Sequence, residues 1–271
     1  MIKILSLFSY DFILRALIAG SLVALCSALL GVILVLKRYS MIGDGLSHVG
    51  FGAIAIAMTL NVTPLVVSLP VSLAAAFFLL RISSKDSGIK GDAAIALIST
   101  SALAIGILVT SVTCGLNTDV TAYLFGSVLA LSNLDVWLSI ILSVVVLTLF
   151  IWFYHRIFAV TFDEPFATAG GISSSRYNRM IALLTALTIV IGMRLMGAMM
   201  ISSLIIFPVL TSMRVFKSFR SVTISSAVLS VICFFIGLVT SFIWSAPAGA
   251  SIVVANLVMF LIFATVGKIR K

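Results

Sequence analysis

Long apolar runs alternate with short polar connections from one end of the chain to the other. A membrane-crossing helix needs roughly 20 mainly apolar residues. Runs of that kind lie at 13–36, 42–60, 62–80, 93–113, 134–155, 179–195, 198–214, 221–244 and 249–267. The predicted fold is therefore all-α: a polytopic transmembrane helix bundle of eight or nine spans. No polar stretch is long enough for a separate soluble unit, so residues 1–271 read as one membrane domain. The stretch 179–213 decides the count. Both its ends carry basic residues and belong on one side of the membrane, so the chain must go in and return, turning near Arg194 and Gly197. About 35 residues reach roughly 52 Å as helix, enough for two short crossings of a ~30 Å hydrocarbon core. If one of them only re-enters, the count is eight.

Composition supports the membrane reading. Of 271 residues 62% are hydrophobic and 9% charged, where a soluble domain carries about 25% charged residues. The mean hydropathy is +1.31. The N-terminus, Met-Ile-Lys, has no small-residue cleavage site behind its first apolar stretch and reads as a retained span, not a signal peptide. Cys26, Cys114 and Cys233 are scattered, so neither a disulfide framework nor a thiolate metal site is predicted.

The net charge is +9. Fourteen of the 17 basic residues fall in clusters between apolar runs: Lys37 and Arg38; Arg81, Lys85 and Lys90; Arg156, Arg176 and Arg179; Arg214, Lys217 and Arg220; Lys268, Arg270 and Lys271. The alternate connections, near 61, 114–133 and 245–248, have none. Short clusters suit anionic lipid headgroups and topology signals, and nucleic acid is not expected as a partner. Lys/Arg bias marks the cytoplasmic side, so the N-terminus is predicted outside and the C-terminus in the cytoplasm. Residues 114–133, with Asp119, read as an external loop holding a short re-entrant or interfacial helix.

The candidate chemistry sits at 41–52, where Asp44 and His48 are four residues apart in an apolar stretch rich in glycine. On a helix they share one face, a turn apart. An aspartate at the centre of a membrane helix costs about 2.5–3.5 kcal/mol on insertion scales, and such residues mark ion or substrate paths. Carboxylate plus imidazole suits zinc or manganese, and the same donors serve ferrous iron. Counting from Arg38, Asp44 lies about 9 Å and His48 about 15 Å deeper along a helix. Two ligands make a loose site, and a second copy across a twofold axis would bring four. Against this, Asp44 reads equally as an N-cap of the second span, and His48 as a core histidine bonded to a neighbouring helix.

Other polar positions are weaker. His155 adjoins Arg156 at a span end and reads as interfacial. Arg194 falls at the outer turn. Met193, Met196, Met199 and Met200 cluster there, and packing is favoured over a soft-metal box. Pro208 is expected to kink its span. The longest cytoplasmic connection, about 156–178, contains Phe162-Asp163-Glu164-Pro165-Phe166-Ala167-Thr168-Ala169-Gly170-Gly171-Ile172. Asp163 or Thr161 can cap a short helix, Pro165 suits its first turn and Gly170–Gly171 its end. Such a helix suits docking onto a soluble partner. No P-loop, G-x-G-x-x-G or H-E-x-x-H occurs, so a P-loop nucleotide site is not predicted and this chain is not read as an enzyme.

Over nearly its full length the chain resembles the permease subunits of ATP-binding-cassette importers for zinc and manganese. Three segments carry the resemblance: 36–48, with its basic pair, Gly43-Asp44 and Leu46-Ser47-His48; Ala122 to Ala130; and Gly197 to Pro208. Val209-Leu210-Thr211 after Pro208 depart modestly from the small residues usual there. The resemblance implies a homodimer in the cell membrane, bound to two cytoplasmic ATPase subunits and fed by an extracytoplasmic metal-binding protein. It implies that Asp44 and His48 contact a transported divalent metal, with no permanent cofactor. It implies that Asp163, Glu164, Pro165, Phe166, Ala167, Gly170 and Gly171 belong to a coupling helix that fits the ATPase. Rival readings are a permease for a metal chelate of siderophore or cobalamin type, a gradient-driven metal carrier, and an intramembrane enzyme with Asp44 and His48 as acid and base.

Overall fold

The computed structural model describes residues 11–82, 91–113 and 132–269. Among them are eleven helices: α1 Asp11–Leu36, α2 Ile42–Thr59, α3 Pro64–Ile82, α4 Gly91–Thr113, α5 Asn133–Trp152, α6 Tyr154–Phe162, α7 Glu164–Ala169, α8 Ser174–Met196, α9 Ala198–Met213, α10 Phe219–Trp244 and α11 Ala248–Ile269. No strand occurs among the described residues. Each of the nine predicted apolar segments overlaps a helix, seven of them within about two residues at both ends. The predicted external helix, Asp119, the segment 122–130 and the basic residues Lys85, Lys90, Arg270 and Lys271 lie outside the described residues.

Among the described residues six helices are long and apolar enough to cross a membrane: Ile13–Leu36, Ile42–Thr59, Ala93–Val112, Asn133–Trp152, Phe219–Trp244 and Ala248–Ile269. The chain is thus a multi-pass helical membrane protein. The apolar stretches Pro64–Leu79 of α3 and Met200–Met213 of α9 are shorter.

Two helices organise the bundle. α1 packs against α5, α8, α9 and α10, and its Val23, Ala24, Leu30 and Ile33 join Ile189, Ile201, Leu204, Ile205 and Phe234 in one core. The Ser230 hydroxyl of α10 donates to the Ala24 carbonyl of α1 at 2.7 Å, satisfying a polar group where no water reaches. α2 packs against α3, α4, α8 and α9. Its contact with α4 is backbone on backbone: a Cβ at Gly52 would lie 2.7 Å from the Ala102 carbonyl oxygen, and one at Gly106 would lie 2.9 Å from Gly52 Cα. Small residues allow such approach where water supplies no driving force between helices. By contrast α4 and α11 bury little of their apolar surface, and Leu108, Val112, Leu257 and Leu261 point outward, as lipid-facing helices require.

The connection from α1 to α2 is a tight Schellman motif. The Tyr39 amide donates to the Leu34 carbonyl and the Arg38 amide to the Val35 carbonyl. Arg38 takes the left-handed position, φ +62°, usually given to glycine. The Ile42 amide then reaches the Tyr39 carbonyl at 3.0 Å, so α2 starts with no slack.

The connection read as cytoplasmic differs from its expected outline. The span predicted to run to 155 ends at Trp152, because Phe153 leaves helical geometry (φ −98°, ψ +14°), and a separate α6 follows. α8 begins at Ser174, five residues before the predicted 179. Charged Arg176 and Arg179 occupy its first turns, where an apolar criterion cannot see a helix.

Candidate metal site and candidate docking helix

α2 presents Asp44 and His48 on one face, with His48 Nε2 3.5 Å from Asp44 Oδ2. That is a loose pairing, at the outer limit of a hydrogen bond. The His48 side chain is 14% exposed and Asp44 38%, so the carboxylate is the more open of the two. His48 Nδ1 is buried and has no hydrogen-bond partner. An orphaned ring nitrogen of this kind costs about 1–3 kcal/mol, which a ligand or a partner can recover.

Neither bland reading of the pair fits this geometry. The N-cap of α2 is Met41 and makes no side-chain cap; Asp44 is three residues on, in the first turn, where the helix dipole favours a carboxylate. His48 reaches its own helix rather than a neighbour. The glycines around the pair serve close packing more than open space. Gly43 faces Ser202 and Ile205 of α9, Gly45 faces Ile95 of α4, and Gly50 faces Met193 of α8 and Ser72 of α3. Ser72 Oγ and Ser202 Oγ are also buried without a partner, so the neighbours of α2 supply further unused oxygens.

Among the described residues no group of three or more His, Cys, Asp or Glu side chains gathers. Met193 packs on Gly50 of α2, whereas Met200 packs on Gly249 of α11. His155 stacks edge-on against Tyr154, 5.4 Å between centroids, away from the pair. α9 runs without a break through Pro208.

Arg194 has a partner that composition and spacing did not reveal. Its Nη1 lies 2.7 Å from Asp135 Oδ1, and Asp135 is 6% exposed. Asp135 also closes a capping box at the start of α5, accepting from the Ser132 amide and hydroxyl. The Ser132-x-x-Asp135 pattern before an apolar run was a readable signal for that cap. The Arg194 contact was not, since 59 residues separate the two. The hairpin from α8 to α9 turns at Gly197, φ +92°, as expected.

On the other side, α7 forms from the segment read as a docking helix. Asp163 caps it, accepting from the Phe166 amide at 2.9 Å, whereas Thr161 spends its hydroxyl on the Ile157 carbonyl inside α6. Glu164 and Pro165 open the helix, Gly170 ends it and Gly171 takes φ +82°. Phe166 is 74% exposed and Phe162 is exposed beside it. Ala167 is buried, so it seats the helix and does not face outward. Beneath α7, Lys37 Nζ lies 3.6 Å from Glu164 Oε2 and donates to the Asn178 side-chain oxygen, while Asn178 Nδ2 donates to Glu164 Oε1 at 2.9 Å. Burial pushes the Lys37 ammonium below its ordinary value, and Glu164 offsets part of that push. Asn178 was not singled out by sequence reading, and Lys37 only as a topology signal.

Comparison with known proteins bears on this arrangement. The manganese import system permease protein ScaB of Streptococcus gordonii is 29% identical over 256 residues, spanning 94% of this chain and 91% of the relative. The high-affinity zinc uptake system membrane protein ZnuB of Haemophilus influenzae is 27% identical over 253 residues, spanning 93% and 97%. The solved structure of PsaBC from Streptococcus pneumoniae in complex with Fab superposes with a TM-score of 0.85 at 28% identity, covering 97% of this chain and 95% of that one. The model of the ABC 3 transport family matches residues 9–267. The chain belongs to the ABC 3 transport family.

Proposed function

We propose that this chain is the membrane permease subunit of an ATP-binding-cassette importer that moves a divalent metal, zinc or manganese and next ferrous iron, into the cytoplasm. The observation that carries this reading is the Asp44–His48 pair on a packed membrane helix, with one imidazole nitrogen buried and unused, in a chain of this family. The metal is cargo. Asp44 and His48 offer it one oxygen and one nitrogen, and a second copy across a twofold axis doubles the set to four. Such a site binds weakly enough to release its ion, as transport requires.

ATP is hydrolysed on separate cytoplasmic ATPase subunits, and this chain contributes no catalytic residue. α7, with Asp163, Glu164, Pro165, Phe166, Ala167, Gly170 and Gly171, is the coupling helix. Phe166 supplies the exposed apolar tip that enters the ATPase, and the caps and buried Ala167 hold it rigid. ATP binding then shifts the dimer between outward- and inward-facing states through differential affinity for the two. An extracytoplasmic metal-binding protein delivers the ion. The six long spans are completed by α3, α8 and α9, giving nine crossings, or eight if one hairpin arm only re-enters. The N-terminus lies outside and the C-terminus in the cytoplasm, because the basic connections share one face.

The test is metal uptake into proteoliposomes holding the permease with its ATPase, with zinc, manganese and ferrous ions in competition. Uptake should require ATP, and Asp44→Ala or His48→Ala should abolish it while the ATPase still co-purifies. Normal uptake of free metal by both variants would remove the ligand role. Transport of a chelate in preference to the free ion would favour the chelate reading instead.

A further inference from the structure

We infer that Lys37, Glu164 and Asn178 form a positioning triad that carries movement of the coupling helix to the start of the metal-bearing helix. This rests on the importer reading and deepens it. Three separate segments meet in the triad: the α1–α2 connection, the first turn of α7 and the early turns of α8. The three side chains close a triangle. Lys37 contacts both others, and Asn178 bonds Glu164 in turn. A second tie runs parallel to it. Thr168 of α7 shares a hydrogen bond of 2.8 Å with Ser174, the first residue of α8.

What makes the triad more than a staple is what lies after Lys37. Lys37 occupies the C-cap of α1, and the Schellman hydrogen bonds fix the backbone from Leu34 through Tyr39. α2 begins at Ile42, five residues after Lys37, and Asp44 stands in its first turn. A displacement of Glu164 therefore pulls on an ammonium attached to a stiff turn, and that turn ends at the carboxylate offered to the ion. Lys37 is the buried member, with 11% of its side chain exposed, whereas Glu164 is 49% exposed and stands two residues before the exposed Phe166 of α7. The geometry runs from surface to interior in the direction a signal from the ATPase would travel. Lys37 and Asn178 touch neither metal nor nucleotide; they act by position.

The experiment uses the assembled permease–ATPase complex in proteoliposomes and measures metal ions moved per ATP hydrolysed. The variants are Lys37→Met, Lys37→Arg and Asn178→Ala, with Phe166→Ala as a docking control. Lys37→Met and Asn178→Ala should keep ATPase co-purification and metal affinity, yet lower the ions-per-ATP ratio about five-fold or more, the lower bound for coupling between distant sites. Lys37→Arg keeps the charge pair and should recover most of the ratio. Phe166→Ala should instead lose co-purification. An unchanged ratio in both Lys37→Met and Asn178→Ala overturns the inference, even if Asp44 and His48 prove essential. Loss of ATPase binding in those two variants also overturns it, because the triad would then be part of the docking surface. A wild-type complex that hydrolyses ATP without moving metal overturns the importer reading, and the triad's role with it.

Discussion

At the scale of single residues, the molecule keeps few ions inside and gives most of them a partner. Asp135 and Arg194 are the clearest pair, because one carboxylate oxygen serves a guanidinium while the other closes a helix cap. Breaking a buried pair by removing one partner costs about 3–5 kcal/mol, and the part-exposed Arg194 puts this one at the low end. Asp135→Ala should therefore lower the thermal midpoint of the purified permease, whereas Asp44→Ala, which removes a half-open carboxylate held only loosely, should not. Equal loss in both would contradict the contrast drawn here. Arg38 makes a smaller, opposite case. A non-glycine residue in the left-handed region costs about 1–2 kcal/mol, so Arg38→Gly should raise the midpoint, offset by whatever lipid contact its charge makes. The sequence exposes what is local and hides what is not. Asp44 and His48 are four residues apart and could be placed on one face by counting. The partners of Arg194 and Lys37 lie far along the chain, and only tertiary packing brings them in.

At the scale of elements, apolar run length found each long helix, because lipid imposes a length that soluble cores do not. It failed where helices are short or begin with charge. By that criterion residues 154–155 join the preceding span, the rest of α6 reads as connection and α8 starts late, since Phe153 carries no turn signal and Arg176 and Arg179 look like a connection. The cap chemistry of α7 was readable, residue by residue, from Asp163 to Gly171. Two glycine substitutions separate packing from conformation. Gly52→Ala drives a methyl against the Ala102 carbonyl and should cost about 1–3 kcal/mol by overpacking, seen as a lower thermal midpoint. Gly171→Ala meets nothing within 4 Å, yet its φ of +82° makes it strained. Its cost of about 1–2 kcal/mol should fall on the α7–α8 turn and show as faster proteolysis there. A neutral Gly52→Ala would contradict the backbone contact between α2 and α4.

At the scale of the whole molecule, charge and apolar surface divide the labour. Basic residues gather in alternate connections along the chain, and α4 and α11 turn large side chains outward. The orientation follows as a measurable outcome. In a cysteine-free background, Val62→Cys and Pro247→Cys should react with a membrane-impermeant maleimide added outside intact cells. Lys217→Cys, at an exposed basic connection, should react only after permeabilisation. Labelling of Lys217→Cys from outside would invert the topology. At Gly52 and Gly106 the backbones of α2 and α4 meet directly. Two backbones locked in this way swing as a single lever. If the Asp44–His48 pair holds the cargo and changes the face it shows, α4 sweeps through the lipid with α2, and the bilayer that α4 touches becomes a load on every cycle.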